Sequence, residues 1–265
     1  MIPSTGERCF KCENGRFGEC VKNRCIHNSR LRSLLGFFEA DHYLKKKTYR
    51  MVDTIICPSE FLKKKIETYP AFKDGNKSPD IVAMHNFIET VIDERTGSEN
   101  KGDYVLYFGR YSEEKGVKTL LKVCNEMPAV NFKFAGSGPL KELVENKDNI
   151  TEMGFLHGED LFNTIRRAKI VAFPSEWYEN CPFSVMESIA YGTPVLASDL
   201  GGVPELLNDG VTGELFKAGD AGDLKAHLES MLKDDKKLRE YTENCKKAIF
   251  DTVSEYTEKF LKIVK

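Results

Sequence analysis

Arg110 and Lys115 stand five positions apart, and Glu179 and Glu187 eight positions apart. Between the glutamates lie Pro182, Phe183 and Ser184. Proline suits the first position of a helix, so a helix should begin there. The first N–H groups of a helix lack intrahelical partners and lie at the positive end of its dipole. The amides of Phe183 and Ser184 should therefore attract an anion. Two cations plus that amide pair suit a diphosphate. Glu187, about one turn into the helix, can accept two hydrogen bonds from vicinal hydroxyls. Glu179, on the loop before it, could grip the hydroxyls of something attached to the diphosphate. The residue types thus imply a ribose, a diphosphate and a second polyol, which together describe a nucleotide sugar. Each residue alone also suits a solvated surface charge or a structural pair. Their order along one rim favours binding.

That rim depends on the elements behind it. Residues 104–110, 131–136, 149–154, 169–175, 193–198 and 212–216 read as strands, and the segments between them as helices, including 182–192 and 202–209. Strands alternating with helices predict a parallel sheet covered on both faces, with right-handed crossovers. Ligands bind such sheets at the carboxyl ends of the strands. Arg110, Gly136, Gly154, Phe155 and Glu179 all fall at those ends. Upstream, residues 31–50 look helical, with Leu31, Leu34, Leu35, Phe38 and Leu44 on one face. Residues 52–59 read as a strand, Ser59 as the cap of a helix over 60–69, and 80–86 as another strand. The polar stretch 87–102 reads as a linker.

The 265 residues are 41% hydrophobic and 30% charged, with a formal net charge of -2. That is a globular composition with enough apolar side chain for a core. It makes nucleic acid a poor default partner. The first residues hold no apolar run of a signal peptide, and no run approaches the length of a membrane span. The expected setting is the cytoplasm, with reduced thiols and room for a peripheral contact at the inner face of the cell membrane.

The ordered set "FGR", Lys115–Gly116, "FAGSGP" and "FPSEWYENCPFSVMESIAYGTPVLASDLGGVPELLNDGVTGELF" resembles the donor-binding domain of retaining GT-B glycosyltransferases, family 4, the glycosyl transferases group 1. The resemblance covers roughly residues 100 to 250. It implies an α/β GT-B-like fold: a complete C-terminal Rossmann-like domain over 103–250, and a partial N-terminal one over 31–86. It implies that Glu179 contacts the donor sugar and Glu187 the ribose. Arg110 and Lys115 would hold the diphosphate with the amides of Phe183 and Ser184, near Gly136. The backbone around Gly154 and Phe155 would hold the base. Many members carry Gly where Pro182 stands. The implied reaction moves a sugar from a UDP- or GDP-sugar to a glycan or lipid-linked hydroxyl with retention, in surface polysaccharide synthesis, with no catalytic metal.

About 85 residues precede the linker, roughly half of a typical domain. This predicts an N-terminally shortened acceptor side, with a partner chain or self-association to cover its open sheet edge. A helix over 251–265 should pack back on the N-terminal part. The rival reading is a non-catalytic nucleotide-sugar-binding or zinc-bearing subunit that needs a partner chain.

Residues 1–30 carry Cys9, Cys12, Cys20 and Cys25 in the spacing C-x2-C-x7-C-x4-C. Four thiolates opening on C-x2-C suit a structural zinc ion. Two disulfides, an iron–sulfur site or free thiols are the alternatives. The surrounding basic residues could face anionic lipid or a diphosphate-linked lipid acceptor.

Overall fold

The computed structural model describes residues 9–13, 15–72, 79–89 and 101–264. The chain divides into two compact units, one of residues Met1–His85 with Leu261–Lys265, the other of Asn86–Phe260. Of the expected linker over 87–102, residues 90–100 lie outside the described residues.

In the first unit a short helix α1 (Gly18–Lys22) leads to α2 (Arg30–Lys46). Ser29 caps α2 by accepting the Arg32 N–H at 3.4 Å. The apolar face foreseen on α2 forms but stays exposed, with Leu31 at 69% and Leu35 at 63%. Strands β1 (Thr54–Cys57) and β2 (Asp80–Ala83) pair in parallel, with Thr54 opposite Asp80. Between them runs α3 (Glu60–Glu67), which Ser59 caps as its sequence position predicts.

The second unit is built on one parallel sheet of six strands: β3 (Val105–Arg110), β4 (Phe132–Ser137), β5 (Ile150–Glu152), β6 (Ile170–Phe173), β7 (Val195–Ser198) and β8 (Gly213–Phe216). Their order across the sheet is β5-β4-β3-β6-β7-β8. The strands are short runs of apolar residues because both faces are covered. Alternate residues enter opposite cores. Val105 and Tyr107 pack with Phe132, Phe134 and Leu120 on one side. Tyr104 and Leu106 pack with Val171, Phe173 and Ile189 on the other. The first core is closed by α4 (Val117–Glu126) and α8 (Ala221–Lys233), the second by α6 (Gly158–Arg167) and α7 (Phe183–Ala190). Helices α5 (Lys141–Val144), α9 (Asp235–Cys245) and α10 (Val253–Ile263) complete the elements.

The chain runs outward from β3 through β4 to β5, then returns to lay β6 beside β3. This reversal is a topological switch point, where sheets of this kind open a crevice. Here β3 and β6 pair only at Val105–Ile170 and Leu106–Val171. Beyond those residues their carboxyl ends part, and the loops that follow line the gap.

One expected element is shorter than its pattern suggested. Residues 202–209 form only a 3-10 turn over Val203–Glu205. The chain there must turn again at once, and Asn208 is tied to Thr212 by the Thr212 hydroxyl, which accepts the Asn208 N–H at 3.0 Å. The entry to the second unit is pinned to the loop ahead of α7 and to the segment ahead of α10. Asn86 donates its side-chain amide to Cys181 O at 3.1 Å, and Ile88 donates its N–H to Asp251 O at 2.9 Å.

Candidate functional site

β3 ends at Arg110, whose side chain is exposed and has no partner among the described residues. The chain then makes a tight turn, Glu113–Lys115, and reaches Gly116 with φ at 69°. A Cβ on Gly116 would lie 1.7 Å from Pro174 O. Only glycine lets this loop touch the exit of β6, and that contact brings Lys115 to Glu179. Lys115 Nζ lies 2.5 Å from Glu179 Oε1. Ser175 Oγ donates to the same oxygen at 2.9 Å. The backbone of Glu179 is held as well, since Gly202 donates its N–H to Glu179 O at 2.7 Å. Gly201 stands so near that a Cβ would meet that carbonyl at 2.4 Å.

α7 begins after this loop. Pro182, with ψ at 120°, is its N-cap rather than its first helical residue, and no side chain caps the helix. The missing proline N–H therefore falls outside the helical turn, and Phe183 and Ser184 present the first two amides. Neither amide has a partner among the described residues. Glu187 lies one turn further on. It is half-buried, its carboxylate forms no hydrogen bond or ion pair with any described group, and burial raises its pKa above the ordinary value. A part-buried carboxylate without partners is costly to the folded chain.

Beside Arg110 a cavity of about 390 Å³ opens between the ends of β3 and β4. Phe108, Ala135, Gly136, Phe155 and Leu161 are among its walls. Phe155 is 74% exposed, so its ring offers an open apolar face at the mouth. Gly154 is engaged within the protein: its N–H goes to Glu152 Oε1 at 3.0 Å and its carbonyl accepts the Gly136 N–H at 2.7 Å. Polar contacts with a ligand in this cavity would fall to neighbours of Gly154 rather than to Gly154 itself.

The residues named from sequence thus gather in three places on the carboxyl edge: Arg110, Gly136 and Phe155 in the cavity, Lys115 with Glu179, and Phe183, Ser184 and Glu187 on α7. Ser175, Gly116 and Gly201 hold these places and were not foreseen. Gly116 follows Lys115 directly and Gly201 opens a Gly-Gly pair, so both carried a weak signal, whereas Ser175 carried none. Glu176, also at a strand end, has a structural part. Its Oε1 accepts the Thr119 hydroxyl at 2.5 Å, and its N–H goes to Glu114 O.

The expected zinc shell is not formed. All eight cysteines are free thiols. Burial raises the pKa of Cys12 and of Cys25, and the neighbouring cysteines of the stretch, Cys9 among them, push in the same direction. Among the described residues, no group of three or more His, Cys, Asp or Glu side chains is arranged to hold a metal ion. No helix among the described residues is long and apolar enough to cross a membrane.

Residues 89–248, more than half of the chain, match the family model described as glycosyl transferases group 1. The chain belongs to that family. Among curated members, the sulfoquinovosyl transferase SQD2 of Arabidopsis thaliana is 32% identical over 147 residues, which are 52% of this chain and 28% of SQD2. An uncharacterised glycosyltransferase of Methanocaldococcus jannaschii is 25% identical over 260 residues, 93% of this chain and 68% of the relative. With solved glycosyltransferase structures the likeness is one of fold. HepE of Anabaena, solved in complex with UDP, has 19% identity and a TM-score of 0.64, over 80% of this chain and 64% of HepE. A point mutant of TarM of S. aureus, solved with UDP and other ligands, has 18% identity and a TM-score of 0.68, over 85% of this chain and 46% of TarM. The fold is thus the GT-B-like α/β arrangement of Rossmann-like parallel sheets that the motifs implied. The chain spans 28% of SQD2 and 46% of TarM, so it is short of these relatives' full length.

Proposed function

We propose that the second unit binds a nucleoside-diphosphate sugar, and that the glycosyltransferase to which it belongs moves that sugar to a hydroxyl of a glycan or lipid-linked acceptor with retention of configuration. The observation that carries this reading is Glu187: a half-buried carboxylate with no protein partner among the described residues, one turn above two unpartnered helix amides. The folded chain keeps a polar group in this costly state where a ligand supplies the missing donors. Ribose hydroxyls fit that need. The diphosphate would lie on the Phe183 and Ser184 amides and on Arg110, and the base in the cavity against Phe155. HepE and the TarM mutant were solved with UDP, which makes UDP the first nucleotide to try.

Transfer would proceed as the bond from the anomeric carbon to the diphosphate oxygen breaks and the acceptor oxygen attacks from the same face, its hydroxyl proton passing to the departing diphosphate oxygen. Negative charge then grows on the leaving diphosphate. The amides of α7, Arg110 and Lys115 would stabilise that charge more than the ground state, which is where rate is gained. Glu179 would orient the sugar through its hydroxyls. A role in surface polysaccharide synthesis is part of the same proposal and rests on the family resemblance.

Calorimetric titration of the chain with UDP, GDP and their sugar conjugates tests the donor site. One nucleotide should bind, and Glu187→Ala and Arg110→Ala should each weaken it by about tenfold or more, as expected when a charged hydrogen bond is lost. Equal affinity in both variants, or no nucleotide bound at all, would refute the reading. The anomeric configuration of any transferred sugar, read by NMR, tests retention separately.

A further inference from the structure

Of the two cations on the rim, Arg110 is without a partner among the described residues and Lys115 is already committed. Lys115 Nζ is 2.5 Å from Glu179 Oε1, and the Ser175 hydroxyl donates to that same oxygen at 2.9 Å. Glu179 Oε2 has no partner among the described residues. The Glu179 side chain is only 16% exposed, and that of Lys115 33%. A part-buried pair is screened less by salt than one on the surface, and breaking it leaves a carboxylate short of donors. A diphosphate that is to use Lys115 must therefore draw it from Glu179.

Resting on the donor-binding reading above, we propose that Glu179 is an internal competitor of the diphosphate for Lys115, and that this competition makes the site prefer a sugar-loaded nucleotide to a spent one. When a bare nucleoside diphosphate takes Lys115, Glu179 keeps only the Ser175 hydroxyl. When a sugar is attached, its hydroxyls can donate to both oxygens of Glu179 and replace the lost cation. After transfer those hydroxyls depart with the acceptor. Glu179 then regains Lys115, and the diphosphate loses a cation as it leaves. Ser175 is the positioning residue in this exchange. It is 2% exposed and lies beyond the end of β6. It holds the carboxylate in place while its cation changes partners, as the Gly202 N–H holds the Glu179 backbone.

The test is titration of the full chain with bare UDP and GDP and with UDP-glucose and GDP-mannose. Glu179→Gln keeps the size of the side chain and removes its charge. The bare diphosphate that the wild type accepts should bind this variant about tenfold tighter, a gain opposite in sign to that of ordinary site substitutions. The advantage of the sugar-bearing nucleotide should shrink by a similar factor. Lys115→Met gives a reading independent of that variant's folding. It should weaken the bare diphosphate less than Arg110→Met does, because Lys115 is already half-neutralised. Unchanged or weaker binding by Glu179→Gln, or a loss in Lys115→Met as large as in Arg110→Met, overturns the proposal. In that case the donor site still stands if Arg110→Ala and Glu187→Ala weaken binding. No nucleotide bound by any form overturns both.

Discussion

Glu187 is a half-buried carboxylate whose side chain has no partner among the described residues. Burial raises its carboxyl pKa, so the folded chain is less stable wherever Glu187 must be ionised and alone. For a carboxylate with a raised folded-state pKa, this cost is present above the folded pKa and disappears as pH falls and both states protonate. Glu187→Gln should therefore stabilise the ligand-free chain at neutral pH, by about 0.5–2 kcal/mol. The gain should fade as the solution is made acidic. Urea denaturation at pH 7 and pH 4.5, wild type beside variant, reads both parts. A destabilised variant at neutral pH would mean that Glu187 has a structural partner. The charged residues of the rim could be placed from the sequence because Arg110 and Glu179 follow predicted strand ends, and Glu187 lies about a turn into the helix that Pro182 opens. The pairing of Lys115 with Glu179 was not, since 64 residues separate them and only the fold brings them together.

At the scale of elements, the loops of the rim are positioned by close backbone contact as well as by side chains such as that of Ser175. The loop after β3 rests on the exit of β6 through Gly116. With φ at 69° and no room for a Cβ against Pro174 O, Gly116→Ala must shift one loop or the other. The expected loss is about 1–3 kcal/mol of stability, together with weaker nucleotide binding as Lys115 moves away. Thermal unfolding and calorimetry on the same sample would show whether the two losses come together. A Gly116→Ala chain as stable as the wild type would show that the contact is not needed. The alternation of strand and helix was readable because each period is local. The short turn at Val203–Glu205 was not, because its length is set by tertiary contacts: Gly201 against Glu179, and Asn208 against Thr212. The start of α7 was read to within one residue, the difference being the extended ψ of Pro182.

At the scale of the whole second unit, Lys101 joins parts that no sequence pattern connects. Its Nζ donates to Arg166 O near the end of α6, and to Gly192 O and Thr193 Oγ1 just past α7. A cation at two helix carboxyl ends suits both dipoles. Burial nonetheless lowers its pKa from 10.5 to about 8. Between those values the unfolded chain binds more protons than the folded one, so this group makes stability rise with pH across that window. Below about 8 the cost of burying the charge is fully present. Lys101→Met should remove this rise, which denaturation at pH 7.5 and 9.5 would reveal. The same slope in both forms would show that Lys101 titrates as in the unfolded chain.

The glycine contacts also decide where this unit can be cut and joined to a relative's. Gly116 seats the loop after β3 on the exit of β6, and Gly201 seats the loop after β7 on the backbone of Glu179. Three loops from distant stretches are thereby interlocked like the wards of one lock. A chimera with its crossover anywhere from Gly116 to Gly201 would mate loops that had never been fitted to each other. A crossover in the segment ahead of β3 would carry all three across together. If the proposed donor site is right, changes of nucleotide or sugar preference should be easiest where these loops are free of one another, at the cavity mouth around Phe155, and hardest at the seam where Lys115 meets Glu179.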